Sequence, residues 1–338
     1  MNGNGAIAPA LGWHRLLAHL DRGTILVLGG QGSGKTSLAR WLLGQLGRGL
    51  DRVALVDCDP GQSTIGVPGC LGLAITGPWE APAALWFVGS TSPPGHLLPS
   101  VVGAARLAAR ARAAGAQAVI LDTSGLVAGG AARTLHYHLA HAAEVDQVVA
   151  IGGEERNGSG GGAAVDALVG LLQGERRQIE RVARSAAARD RGPGARRAHR
   201  EARFAAHFQG ARIRWVSPRR VFASDWGGWG GEAAGRLAPG TAVGLLDGEG
   251  FCLGLGIVEE VHADRVAVYT AVAEVPVVRI QAGGFRLDRE GRELPAAGDA
   301  ATTDGEAGGE RAGGGGRGSA DRENGEVRDR PLRVAERG

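Results

Sequence analysis

Lysine is all but absent from this chain: of 38 Lys and Arg residues, 37 are arginine and one, Lys35, is lysine. Wherever a generic positive charge serves, the sequence uses arginine, so Lys35 marks a position where a planar guanidinium does not. Cysteine is scarce as well. Cys58, Cys70 and Cys252 lie far apart with no C-x-x-C pair, which excludes a disulfide framework or a cysteine zinc site read from spacing and leaves buried thiols as the expectation. No run approaches the roughly eighteen apolar residues of a membrane span. The opening MNGNGAIAPALGWHRLL lacks a basic leader ahead of a long apolar stretch, so the expectation is a cytoplasmic protein with no membrane contact. HYHLAH supplies His136, His138 and His141 without H-E-x-x-H spacing or a third ligand on one helical face, so helix surface is expected there. No internal repeat is apparent.

Around the single lysine, GGQGSGKTSL at 29–38 fits G-x-x-x-x-G-K-T with Gly29, Gly34, Lys35 and Thr36. Glycines in that pattern let consecutive backbone N–H groups turn towards phosphate oxygens, and the N-terminus of the next helix adds partial positive charge. A slim ammonium reaches between β- and γ-phosphates, and the threonine hydroxyl ligates Mg²⁺. TILVLG (24–29) is a short apolar run suited to a buried parallel strand, and SLARWLLGQL (37–46) repeats apolar residues at helical spacing. Strand, glycine turn and helix occur in the order a phosphate loop needs. Gly29, Gly30, Gln31, Gly32, Ser33, Gly34, Lys35, Thr36 and Ser37 are therefore the predicted ATP-binding residues.

A chain of 338 residues with 43% hydrophobic content has room for one large or two modest domains. From about 24 to 217, apolar runs (RVALVD, ALWFVG, AVILDT, QVVAIG, RIRWVS) alternate with Ala- and Leu-rich helical stretches. This is the pattern of a parallel α/β sheet covered by helices. From about 236, short alternating strands and glycine turns predict a small β-rich domain. The predicted layout is an N-terminal segment over 1–22, an α/β phosphate-loop domain over 23–225, a β-rich domain over 236–292 and a tail over 295–338. That tail is Gly-, Glu-, Arg- and Asp-rich without an aromatic residue, so disorder is expected there. GGEERNGSGGG (152–162) reads as a flexible loop. DWGGWGG (225–231) offers Trp226 and Trp229 either to stacking or to a plug between domains.

LVDCDPGQSTIGVPG (55–69) puts Asp57 and Asp59 at the carboxyl end of an apolar strand, where parallel sheets hold their ligands. Asp-Pro-Gly is also a turn composition in its own right. The phosphate loop upstream favours the site reading. Between 176 and 220 fourteen arginines face three acidic residues, a local excess that attracts polyanions such as ATP or a nucleic-acid strand. The formal charge of the whole chain, only +3, conceals it.

The phosphate loop, D-x-D-x-G-Q at 57–62, V-P-G at 67–69, FVGSTSP at 87–93 and LDTSGLVAG at 121–129 occur in an order that resembles the Clp1/Grc3 family of polynucleotide 5'-hydroxyl kinases. RSAAARDRGPGARRAHREARFAAHF (184–208) resembles that family's arginine-bearing lid, with R-x-x-x-R on Arg196 and Arg200, and GLLDGEGFCLGLGIV (244–258) resembles its C-terminal domain. The resemblance covers about 20–290. It implies a P-loop parallel sheet with helices on both faces plus the small β-domain, with ATP and Mg²⁺ as cofactors. The implied partner is a single-stranded or 5'-hydroxyl-ended nucleic acid, RNA before DNA, with no protein partner identified.

In this picture Lys35 and the loop amides hold the triphosphate, Thr36, Asp57 and Asp122 serve the metal, and Asp59 orients the attacking hydroxyl. Gln62, Ser92, Pro93, Thr123 and Leu126 meet the acceptor, while Arg196 and Arg200 close on the transferred phosphoryl group. Two departures stand out. Leu126 follows Thr123-Ser124-Gly125 where many members carry a base-stacking tryptophan, and Asp122 stands where members often carry asparagine, so DTSG also resembles the metal-side aspartate of phosphate-loop switches. The adenine-reading N-terminal domain of eukaryotic members is not expected ahead of a phosphate loop this near the start. A nucleotide-dependent switch or scaffold acting through a partner in RNA processing is the alternative.

Overall fold

The computed structural model describes residues 9–10, 12–76, 82–152, 161–173, 177–185, 188, 192–223, 228–229, 237–272 and 277–295. The expected disordered tail beyond 295, most of the 152–162 loop and Trp226 fall outside them. In chain order the elements are α1 (Trp13–Leu16), β1 (Gly23–Leu28), α2 (Lys35–Leu46), β2 (Val53–Cys58), β3 (Cys70–Ile75), β4 (Ala84–Phe87), α3 (Leu97–Ala113), β5 (Ala118–Thr123), α4 (Gly129–Ala142), β6 (Gln147–Ile151), α5 (Gly161–Leu172) and β7 (Gln178–Val182). Then follow α6 (Pro193–His207), β8 (Arg212–Val216), β9 (Val221–Ala223), β10 (Gly228–Trp229), β11 (Thr241–Leu246), β12 (Cys252–Val261), β13 (Val266–Thr270), β14 (Arg279–Leu287) and β15 (Glu293–Leu294).

Seven strands form the first sheet in the order β4-β3-β2-β5-β1-β6-β7. The β2, β5, β1, β6 and β7 neighbours are parallel, and β3 and β4 add an antiparallel edge. Alternation along β1 explains the layers. Leu26 and Leu28 bury against α3, α4 and α5, whereas Ile25 and Val27 bury against α1 and α2 through Trp13, Leu38 and Leu42. Each such aliphatic side chain contributes about 1.5–3 kcal/mol by leaving water. Among the described residues no helix is long and apolar enough to cross a membrane.

The second sheet runs β10-β9-β14-β11-β12-β13-β8, with β15 on β14. It takes in RIRWV, which the sequence pattern places with the parallel strands: β8 pairs antiparallel with β13. Its apolar residues are too few and its arginines too many for burial on both faces. Conversely, QIERV is a parallel strand that its polar composition hides, because β7 is an edge.

A shared core joins Phe87 and Cys70 of the first sheet, Phe204 of α6 and Phe208 at its C-cap, and Leu255 and Ile257 of the second sheet. Contact is close there: a Cβ on Gly244 would stand 2.5 Å from the Phe87 ring. All three cysteines are free and buried, yet Cys70 and Cys252, distant in sequence, bring their sulfurs to 3.9 Å.

Candidate active site

The adjacency β2-β5-β1 brings three carboxyl ends together. Gly29 leaves β1, Asp57 and Cys58 end β2, and Asp122 and Thr123 end β5. The loop after β1 turns through Gly32 (φ 64°) and Gly34 (φ 94°), left-handed conformations that glycine adopts without steric penalty, and Gly34 caps α2. A Cβ on Gly29 would approach Ser33 Oγ to 2.5 Å and Lys35 Cγ to 3.3 Å, so a side chain there would have to displace the Ser33 hydroxyl and crowd the lysine stem. Lys35 is only 8% exposed and donates from Nζ to the Gly30 carbonyl at 2.8 Å. Burial pulls its pKa down, while Asp122 and Asp59 pull it back up.

Asp57 and Asp122 are register partners on β2 and β5. Burial, reinforced by mutual repulsion with neighbouring carboxylates, raises Asp57 to about 6 and Asp122 to about 7. Their surroundings differ. Asp57 Oδ1 accepts from the Asp59 amide, and Oδ2 accepts from the Thr64 amide, the Thr64 hydroxyl and the Ile65 amide. Asp122 accepts from the Thr36 hydroxyl, while its buried Oδ1 has no hydrogen-bond partner among the described residues. An orphaned carboxylate oxygen beside a threonine hydroxyl suits a hard divalent cation, so Thr36 and Asp122 fit Mg²⁺. Asp57, expected in the metal shell, ties the 57–65 loop together through these four hydrogen bonds.

Two cavities open here. One, of about 300 Å³, is lined by Gln31, Gly32, Gly34, Lys35, Thr36, Ser37 and Arg40 of the phosphate loop and α2, together with Thr64 and Thr123. The other, of about 510 Å³, is lined by Thr91–Pro94 and Ser124–Ala128, with Gly61 and Arg200. They share a wall of five residues: Gln31, Asp59, Gln62, Gly125 and Arg196. Asp59 Oδ1 caps the turn by accepting from the Gly61 and Gln62 amides at 2.9 and 3.0 Å. Oδ2 accepts no hydrogen bond among the described residues.

Helix α6 starts at Pro193, a residue pre-set for the first helical turn. Its i, i+4 row runs Arg196, Arg200, Phe204, Phe208, so the two phenylalanines anchored in the shared core aim the two arginines at the cavities. Arg196 donates from Nη1 to Gln31 Oε1 at 3.2 Å, and its carbonyl accepts from Gln62 Nε2 at 3.4 Å. Arg200 grips Glu293 of β15 by two bonds, 2.5 and 2.8 Å.

Residues 29–210, more than half of the chain, match the family profile described as mRNA cleavage and polyadenylation factor CLP1 P-loop. The chain belongs to this family. The CLP1 region holds both cavities and all of α6. The chain is 38% identical over 112 residues to the polyribonucleotide 5'-hydroxyl-kinase of Thermococcus kodakarensis, a match spanning 31% of this chain and 32% of that one. Against the polyribonucleotide 5'-hydroxyl-kinase of Pyrococcus furiosus it is 24% identical over 339 residues, 83% of this chain and 92% of the relative. A chain of the solved Clp1p–Pcf11p complex shares the fold, with a TM-score of 0.61 over 81% of this chain and 77% of that one at 14% identity.

Within the CLP1 region, Ser92, Pro93, Gln62 and Leu126 all line the larger cavity. Thr123 lines the smaller one, where its hydroxyl donates to the Val27 carbonyl at 2.7 Å. His136, expected on a helix surface, is fully buried. Its Nε2 bonds the Leu126 carbonyl at 2.9 Å, and burial lowers its pKa to about 4, so the ring is neutral and donates. Thr64, Arg40 and Glu293 escaped the sequence reading; only Thr64, inside the D-x-D-x-G-Q-S-T run, carried a local signal.

Proposed function

We propose that this chain is an ATP- and Mg²⁺-dependent polynucleotide 5'-hydroxyl kinase that acts on RNA before DNA. One observation carries the reading: a phosphate-loop cavity and a second, larger cavity meet at a wall containing an aspartate, a glutamine and an arginine. That is the layout of a donor site and an acceptor site with the reacting atoms between them. The names of the Thermococcus and Pyrococcus relatives support the same activity.

Lys35 and the loop amides hold the β- and γ-phosphates in the smaller cavity. Thr36 and Asp122 would hold Mg²⁺, which supplies neutralisation of charge on the phosphate oxygens. Asp59 accepts or orients the proton of the 5'-hydroxyl through the oxygen that its turn leaves uncommitted. Gln62 places the acceptor. Arg196, reaching both cavities, stabilises charge on the phosphoryl group in flight. Leu126, Val127 and Pro93 give the terminal base an aliphatic rather than an aromatic floor, so grip on that base is weaker by about 1–3 kcal/mol than on a stacking platform.

The test is incubation of purified protein with γ-labelled ATP and two oligonucleotides, one ending in a 5'-hydroxyl and one already 5'-phosphorylated. Label should reach the first alone. A protein that binds ATP, labels neither and captures a protein partner only in the ATP state would be a switch.

A further inference from the structure

Of the fifteen residues around the larger cavity, Arg196 and Arg200 are the two cations, and they stand in different positions. Arg196 borders both cavities, whereas Arg200 borders the larger one alone. Arg200 is firmly held. Its Nε and Nη2 meet both oxygens of Glu293, and the pair is largely buried, 18% and 20% exposed. The clamp is itself anchored: the Glu293 amide donates to Glu201 on α6 at 3.2 Å, and the turn before β15 closes so tightly that a Cβ on Gly291 would lie 2.5 Å from the Ala205 nitrogen.

A guanidinium offers five donors in a fixed fork. Glu293 occupies one edge of that fork and stops its rotation, and Nη1 makes no hydrogen bond among the described residues. An arginine pinned along one edge still presents an edge for a second anion, and that edge is pre-organised.

Resting on the kinase reading, we propose that Arg200, positioned by Glu293, binds the phosphodiester on the 3' side of the nucleotide whose 5'-hydroxyl is phosphorylated. Arg196 serves the transferred phosphoryl group, and Arg200 serves the strand. Glu293 makes the second sheet part of the acceptor site.

The experiment compares KM and kcat of the full chain for a 5'-hydroxyl dinucleotide and for the corresponding nucleoside. Wild type should prefer the dinucleotide. Arg200→Ala should raise the dinucleotide KM by roughly 10- to 100-fold, the range expected for a charge-assisted contact, and bring the preference ratio towards one. Glu293→Gln keeps the shape but removes the charge that fixes Arg200, and should shift the ratio the same way by roughly three- to tenfold. A fall in kcat for both acceptors alike in Arg200→Ala would assign Arg200 to the transferred phosphoryl and overturn the proposal, as would an unchanged ratio in Glu293→Gln. Titration with the dinucleotide in the absence of donor separates this from the kinase reading. Dinucleotide binding that Arg200→Ala weakens, in a wild-type protein that transfers nothing, would keep the anion site and reject the kinase.

Discussion

Asp57 and Asp122 stand opposite one another on neighbouring parallel strands, both buried, one saturated with hydrogen bonds and the other with an oxygen left over. Their folded pKa values, about 6 and about 7, lie above the ordinary value of 3.8. The folded state therefore binds protons more tightly than the unfolded chain. Stability from this pair is fully present below about pH 4 and is lost as pH rises through about 6 to 7, with a slope of at most about 1.4 kcal/mol per pH unit for each group. In protein stripped of nucleotide and metal, the pair should lower Tm across that window, and Asp122→Asn should flatten the decline. An equal slope in the variant would remove Asp122 as its source.

Lys35 is buried, with Nζ donating to the Gly30 carbonyl. Lys35→Arg keeps the charge but brings a wider head into that space. Transfer should fall by at least about two orders of magnitude, on the scale of losing one transition-state donor. Turnover near wild type in the γ-label assay would break the link between the single lysine and the phosphate site.

Asp59→Asn keeps an oxygen to cap the Gly61 and Gln62 amides but cannot take a proton. Its kcat should drop by about 10²- to 10⁴-fold, as for loss of a general base, while ATP affinity measured by titration persists. A parallel loss of ATP binding would move Asp59 to the fold of the loop.

Arg196→Ala should lower kcat by about 10³- to 10⁵-fold, the range for an arginine acting on a phosphoryl transition state. The ground-state donor Kd should change little. A donor Kd that weakens as much as kcat falls would make Arg196 a ground-state clamp.

Much of this was legible because it is local. A phosphate loop needs one strand end, four glycines and a helix start, all within a dozen residues, and backbone chemistry alone gives the loop its shape. Arg196 and Arg200 were legible as a pair through their four-residue spacing. The pairing of Arg200 with Glu293 was not, because Glu293 lies 93 residues from Arg200. The loop contacts of Asp57 were not legible, because only the folded positions of Thr64 and Ile65 bring their donors to its carboxylate.

By itself the sequence determined the phosphate loop, since its glycines, Lys35 and the start of the helix are set by bonded neighbours. Tertiary structure alone decided the rest: that RIRWV joins the second sheet, that His136 turns inward to hold the Leu126 carbonyl, that Cys70 meets Cys252, and that the Glu293 carboxylate steadies Arg200 of the larger cavity. The physical reason is range. Turn and helix preferences are set within a few residues, whereas these contacts exist only once the packing of Phe87, Phe204 and Leu255 has brought two sheets and a helix together.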